Sequence, residues 1–412
     1  MHLVALLPLL GGLATGVAAR DPSSPPTRDT FSLDLTESRG PKPDFVREWL
    51  AAHGKWSQHV PDIGPAFMLA EDDEVSVDIS PVRNDNIYVI DVDVGTPPQK
   101  LKLAIDTGSS DLWVQSTDTE YVYNRRGPWS PQYKPNISET SQLIQDAQWS
   151  VDYVDGSSAK GIVYHDTVRM GDLYFENVTI QSAESVAYSF EREVGLTGLL
   201  GLAKTLPNNV QPPTPRFLDL LEPMLDEAVF ACDLKKNATG RIDFGHIDED
   251  RYTGNIAWID TVPDSPFWDI DLDLTSWDGT NNTWYAHKFN ATVDTGTTLL
   301  FLPDIIANMY WFSVPGMRIH PTVPEAFTFP CDLSDQLPDL RFKIPGPPDH
   351  VLTIPGTYLD FGPLESQDGY CWGGMQSADG FNTAILGSAM LKALYVAFDL
   401  DKGRVGFANK KL

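Results

Sequence analysis

A short stretch of this chain occurs twice, 188 residues apart. Leu103-Ala104-Ile105-Asp106-Thr107-Gly108-Ser109-Ser110 is echoed by Ala291-Thr292-Val293-Asp294-Thr295-Gly296-Thr297-Thr298. Each copy is followed by two apolar residues and a glycine, Leu199-Leu200-Gly201 in the first half and Ile385-Leu386-Gly387 in the second. The separation is about one domain length, so the pattern reads as a duplicated lobe. A single Asp-Thr-Gly triplet carries little information. Two copies, each after an apolar strand and before Ser or Thr, with matched downstream glycines, constrain the chain strongly.

The residue types suit a paired carboxylate site. An apolar strand carries each aspartate into the interior at its end. Gly108 and Gly296 allow a tight turn that points backbone N–H groups at the carboxylate. Thr107 and Thr295 have hydroxyls able to bond across an interface between lobes, and Ser109 and Thr297 can donate to the outer carboxylate oxygens. Two carboxyls in hydrogen-bond reach cannot both ionise cheaply, so they share one proton and titrate as a pair. Such a pair can hold a water, take its proton as it attacks an amide carbon, and hydrogen-bond the carbonyl oxygen. Asp106 and Asp294 are therefore the candidate catalytic residues.

The surrounding texture is β-rich. Ile87–Val94, Leu101–Ile105, Trp149–Val154, Gly161–Arg169, Phe175–Ser182, Arg241–Gly245 and Val396–Phe398 read as strands between turn signals. Helical candidates are few: Thr214–Leu225, Pro303–Phe312 and Ala389–Ala393, with a short piece at Phe45–His53. The expected class is all-β. With 42% hydrophobic and 21% charged residues the 412-residue chain has an ordinary globular composition. Its charge is not ordinary: 57 acids against 30 bases give −27, with the excess lying beyond Glu71. That surface repels nucleic acid and anionic membrane, which removes both as expected partners, and it fits a low working pH as well as it fits simple solubility.

The motifs together resemble the pepsin family, closest to its fungal, penicillopepsin-like branch. The resemblance runs from about Val75 to Ala408 through Val94-Gly95-Thr96-Pro97-Pro98-Gln99, Ile105-Asp106-Thr107-Gly108-Ser109-Ser110-Asp111-Leu112-Trp113-Val114, Gly198-Leu199-Leu200-Gly201-Leu202-Ala203, Val293-Asp294-Thr295-Gly296-Thr297-Thr298, Phe329-Pro330-Cys331 and Val405-Gly406-Phe407-Ala408. It implies a bilobal pepsin-like fold of two related barrel-like lobes with the dyad at the floor of a cleft. It also implies protein or peptide substrates, no cofactor or metal, and inhibition by pepstatin-type hydroxyl mimics of the transition state. Trp149–Ser157 resembles the family's flap hairpin. By that match Tyr153, with Asp155, Gly156 and Ser157, lies over substrate, and the Tyr153 phenol can bond Trp113. Asp155 and Ser157 match the pattern that tolerates Lys, besides large apolar residues, on the amino side of the scissile bond. Val154 departs from the family's usual Gly, Thr197 stands where an acid is usual before Gly198, and Ser388 stands where Asp is common after Gly387.

The N-terminus reads as processed. Leu3–Leu10 is apolar, and Val17-Ala18-Ala19 places small residues before Arg20, so residues 1–19 are expected to be a signal peptide. Residues 20–72 resemble the family's propeptide, with the junction between about 70 and 80; lobes at 73–265 and 266–412 follow. Lys55, in His53-Gly54-Lys55-Trp56, resembles the inhibitory Lys-aromatic step of such propeptides. No Lys-Arg pair precedes the mature part, which favours self-cleavage in acid. The expected destination is extracellular, with the vacuole as alternative, and the expected state is a monomer. Five sequons, at Asn136, Asn177, Asn237, Asn281 and Asn290, are compatible with secretion. Of the three cysteines, Cys331 with Cys371 is the expected bridge, worth roughly 4 kcal/mol in the chain-entropy model. Cys232, among apolar neighbours, reads as a buried thiol.

Overall fold

Alternating apolar residues make β2 (Tyr88–Val94) a strand with one face in the core: Ile90, Val92 and Val94 are buried while Asp91 is exposed. It pairs antiparallel with β3 (Gln99–Asp106), whose last residue is the first of the two repeated aspartates. The structure is a computed structural model and describes residues 29–37, 44–57, 87–121, 130–152, 158–191, 195–277, 283–323, 325–345, 349–364 and 369–412.

The first lobe is completed by β4 (Leu112–Glu120), β5 (Gln142–Asp152), β6 (Ser158–Met170), β7 (Leu173–Val186) and β8 (Gly198–Gly201). β8 runs parallel to β3, with Gly201 opposite Asp106, and antiparallel to β4. The second lobe repeats the arrangement. Strand Tyr285–Val293 leads into Asp294 and lies parallel to Ala384–Leu386, which is antiparallel to Leu300–Leu302. The matched apolar-apolar-Gly elements are thus the strands wedged between the one that brings each aspartate and the one that follows it. Gly387 closes this wedge: a Cβ there would lie 2.1 Å from the Leu299 carbonyl oxygen. The expected all-β, two-lobed architecture with few short helices is present.

The two halves share a sheet. Strands Leu394–Asp399 and Arg404–Asn409 pair with each other, and Leu394–Asp399 with Val229–Asp233, which pairs with Gly240–Phe244. Phe230 stacks on Phe398 at 4.6 Å across this seam. Between Gly240–Phe244 and β2 lies a strand that the sequence did not lead us to expect, β1 (Phe31–Glu37). Its buried Phe31 and Leu35 hold it there, Phe31 stacking on Phe244 at 4.9 Å. Burying two such side chains contributes about 3–6 kcal/mol. Phe31, Leu33 and Leu35 do alternate with polar residues, but the run is short, lies in a Pro-rich, polar region and pairs with strands far along the chain, which leaves too faint a signal to read as a strand.

Helix α1 (Phe45–Trp56) begins at Asp44, whose carboxylate accepts from the backbone N–H groups of Val46 and Arg47. Phe45, Trp49, Ala52, His53 and Trp56 form its buried face, spaced for one side of a helix. The helix runs one turn beyond the expected His53. Cys331 and Cys371 are joined by a disulfide, with Cα atoms 5.0 Å apart. Cys232 is a buried free thiol whose ionisation burial pushes far up. Among the described residues no helix is long and apolar enough to cross a membrane.

Candidate active site

The two Asp-Thr-Gly loops meet at the junction of the lobes and are locked by a near-symmetric exchange of hydrogen bonds. Thr107 N–H donates to the Thr295 hydroxyl oxygen at 3.1 Å, and Thr295 N–H to the Thr107 hydroxyl oxygen at 3.0 Å. Each hydroxyl then donates into the opposite strand, Thr107 to the Val293 carbonyl at 2.8 Å and Thr295 to the Ile105 carbonyl at 3.0 Å. All four groups are buried, so leaving any unpaired would cost about 1–3 kcal/mol.

The carboxylates receive matching donors. Gly108 N–H and Gly296 N–H each donate to the inner oxygen of their own aspartate at 2.9 Å. Ser109 donates its hydroxyl to Asp106 Oδ2 at 2.6 Å, and Thr297 donates to Asp294 Oδ2. Both glycines lie in tight turns, but neither has a left-handed backbone, so it is room that requires them. A Cβ at Gly296 would sit 2.4 Å from Asp106 Oδ1, so any side chain there would drive the two carboxyls apart. Asp106 and Asp294 are 3% and 0% exposed.

One cation lies between them. Lys55 Nζ donates to Asp106 Oδ1 at 2.7 Å and to Asp294 Oδ2 at 3.0 Å. Burial works against the Lys55 charge, but the two carboxylates outweigh it and hold the ammonium above its ordinary value. Burial also pushes Asp106 up, yet the Lys55 charge and the hydrogen bonds from Asp294, Lys55 and Ser109 keep it below the usual carboxylate range. Asp294 is pushed up to about 6, by burial first and then by the Asp106 charge, with Lys55 opposing. The pair therefore titrates in split fashion, as two carboxyls in hydrogen-bond contact must.

Three further contacts of α1 were not anticipated. Trp56 Nε1–H donates to Thr297 Oγ1 at 3.1 Å and, at 3.3 Å, to Asp294 Oδ2. Thr298 donates its hydroxyl to Glu48 Oε2 at 2.6 Å. The apolar face of the helix packs on an aromatic wall of the second lobe, with Phe45 stacked on Trp372 at 4.1 Å and Trp56 edge-on to Phe267 at 5.1 Å. The helical spacing of Phe45, Trp49 and Trp56 was the available signal; what it could not tell was which surface that face would meet.

Of the expected flap, Tyr153, Asp155, Gly156 and Ser157 lie outside the described residues, as does Val154. The strands on either side are paired up to that point, Asp152 opposite Ser158, which makes the stem a hairpin. Trp113 is buried against Trp149 and Phe190, and among the described residues its Nε1–H has no acceptor. Thr197 supports the lobe by donating its hydroxyl to the Pro131 carbonyl at 2.9 Å, and Ser388 donates to the Thr298 carbonyl at 3.2 Å. Among the described residues no group of three or more His, Cys, Asp or Glu side chains is placed to hold a metal ion.

Comparison with known proteins agrees with this geometry. The family model described as eukaryotic aspartyl protease matches residues 87–410. The chain is 37% identical to endothiapepsin of Cryphonectria parasitica over 345 residues, 83% of this chain and 80% of that protein. It is 36% identical to aspergillopepsin-1 of Aspergillus oryzae over 405 residues, 98% of both chains. It is 32% identical to penicillopepsin-2 of Penicillium janthinellum over 407 residues, 97% of both.

Proposed function

The chain belongs to the eukaryotic aspartyl protease family and is an aspartic-type endopeptidase, and from that premise we propose that it is a secreted acid protease made as a self-activating zymogen. In this reading residues 1–19 direct export to the outside of the cell, 20–72 are the propeptide, and 73–265 and 266–412 are the catalytic lobes of a monomer. The observation that carries it is the meeting of Asp106 and Asp294 on loops that are images of one another, each carboxylate fed by a backbone N–H and a hydroxyl.

Aspartic proteases are the standard example of two carboxyls sharing one proton, and the chemistry follows from it. A water bound between the carboxyls loses a proton to the ionised member while its oxygen attacks the amide carbon. The protonated member hydrogen-bonds the carbonyl oxygen as negative charge develops there. Collapse of the tetrahedral species passes a proton to the leaving nitrogen and breaks the C–N bond. Thr107 and Thr295 act as positioning residues, keeping the carboxyls at one separation. Tyr153, Asp155, Gly156 and Ser157 close over the substrate, with the Tyr153 phenol as acceptor for the orphan Trp113 Nε1–H; closure excludes water from the dyad.

Lys55 supplies the latency. It occupies the place between the carboxyls that the attacking water needs, and α1 lies along the second lobe beside it. Cleavage after the helix, near residues 70–80, frees the site.

The test is direct. After exposure to acid, the protein should digest denatured globin at about pH 3.5, and a pepstatin-type inhibitor should abolish the digestion. Cleavage that is insensitive to such an inhibitor would sink the reading. In a peptide library, cuts should follow large apolar residues and Lys; a profile with no Lys-directed cleavage would remove Asp155 and Ser157 as determinants of that preference.

The sequons can be sorted by their surroundings. Asn177, at an irregularity in β7, and Asn237, in a turn, are exposed with left-handed φ of 54° and 55°, and Asn136 is exposed in a short helical turn. Asn290 is half-buried in a paired strand, with its Oδ1 accepting from the Thr383 hydroxyl at 2.8 Å. Asn281 lies outside the described residues. Glycopeptide mapping of the secreted protein is expected to find glycan at Asn136, Asn177 or Asn237 and none at Asn290.

A further inference from the structure

A titratable group lies buried at the seam between α1 and the second lobe, and the reaction has no use for it. His53 is 3% exposed. Its ring centroid lies 3.7 Å from that of Trp49, 4.6 Å from Phe381 and 5.8 Å from Phe301. The Trp49 carbonyl oxygen lies 3.0 Å from Nδ1 and can only accept, so the neutral tautomer carries its proton on Nδ1. Among the described residues Nε2 has no hydrogen-bond partner. Two residues further on, Lys55 reaches the dyad, and Ser57 bridges to the backbone of Phe381. The residue that covers the catalytic carboxyls and the histidine in the aromatic cage thus move as one helix.

We propose that His53 is an acid-operated latch: neutral, it keeps α1 seated over the dyad, and on taking up a proton it expels the helix from the cleft and starts activation. This rests on the zymogen reading above and adds the trigger to it.

Among the described residues the cage holds no group placed to compensate an imidazolium. The charged groups on the elements around His53 are Arg47, Glu48 and Lys55 on its own helix, Asp304 beyond the strand that carries Phe301, and Asp379 two residues before Phe381. Glu48 is engaged by Arg47 and Thr298, Lys55 by the two aspartates, and Asp304 by Ser377 and Asn308. The Asp379 charge acts on Glu325. His320, on the far side of the same cluster against Trp372, has its Nδ1 occupied by the Val323 N–H at 3.1 Å. Among the described residues the one hydrogen bond to the His53 ring is that of Trp49, already made by the neutral form.

The sign follows from burial. Burial, only partly offset by the Trp49 carbonyl, lowers His53 to about 4, whereas a histidine on a released helix titrates near 6.5. A group whose pKa is depressed in the docked state stabilises docking above its free value and withdraws that stability as pH falls. The window is pH 6.5 down to 4. Between pH 7 and pH 4 His53 alone should reduce the docking constant by ~100-fold, up to tenfold for each pH unit, because at pH 4 the docked ring is itself about half protonated.

The experiment uses the full-length chain carrying Asp106→Asn, which cannot process itself, with and without His53→Phe. The readout is hydrogen exchange of residues 45–56, corrected for intrinsic rate and expressed within each protein as the ratio of protection at pH 4 to that at pH 7. Taking the ratio cancels any constant loss of packing, and His53→Gln serves as a second variant if Phe does not fold. The parent should lose protection through this window, and His53→Phe should retain ~100-fold more of it at pH 4. Superimposable pH profiles would overturn the latch. In the active background, His53→Phe should slow acid conversion of the full chain. A parent that releases α1 at pH 4 and never shortens would support the latch and refute self-activation.

Discussion

Asp106→Asn is expected to lower kcat/KM for peptide cleavage by at least ~10⁴-fold with little change in fold. The substitution preserves shape, and the amide oxygen can still accept from Gly108 N–H and the Ser109 hydroxyl. What it removes is the group that ionises. An Asn–Asp pair cannot offer one carboxylate and one carboxylic acid together, so water activation and carbonyl polarisation are lost as a unit and not in part. Because the variant cannot process itself, its propeptide must be removed by a trace of active protein that is then withdrawn. A melting temperature within a few degrees of the parent would confirm that folding is not the cause. A variant that retained a tenth of the parent's kcat/KM would exclude Asp106 from the chemistry.

Lys55→Met should have the second largest effect, and on the full-length chain. The Lys55 side chain is 15% exposed and its ammonium touches both carboxylates, which are almost wholly buried. Breaking such a pair by removing one partner costs about 3–5 kcal/mol, which converts to ~10²–10³-fold in the seating of α1 over the dyad. Met keeps much of the length and apolar stem of Lys, so the Trp56 contacts with Phe267 and Thr297 should survive. The measurable consequence is access. Full-length Lys55→Met should bind a pepstatin-type ligand at pH 7 at least ~100-fold more tightly than the full-length parent. Equal affinity would mean that α1 is held by its aromatic face alone and that Lys55 is a passenger.

Much of this site was legible before any coordinates. The paired triplets named both aspartates, and the roles expected of Thr107, Thr295, Ser109 and Thr297 correspond to hydrogen bonds that the structure contains. Those roles depend on short-range chemistry between residues whose spacing is fixed by the motif itself. The glycines lie in the expected turns, each pointing its N–H at a carboxylate, but without the left-handed backbone that would require glycine; the space demanded by the opposite carboxylate is what excludes a side chain at Gly296. Such a clash involves a residue 190 positions away and has no local signature.

Lys55 was expected to face the dyad and does reach both carboxylates, but the sequence concealed how the N-terminal region that carries it is held. β1 has only Phe31 and Leu35 as buried anchors, and its partners are strands that begin some 50 and 200 residues later. α1 was visible as a short helical piece, yet its last turn carries Lys55 and Trp56, and a terminus is where pattern reading is weakest. His53 gave no signal, because its meaning lies in Phe301 and Phe381, which a linear reading does not bring near it.

The account rests on one proton held jointly by two carboxyls from different lobes, and its most direct test is the pH dependence of kcat/KM for the acid-processed protein on a small neutral peptide. A bell is expected, with activity falling on the acid side as the ionised member is protonated and on the alkaline side as the shared proton leaves. An acid limb that never falls, or a profile governed by one ionisation alone, would contradict the paired-carboxyl mechanism.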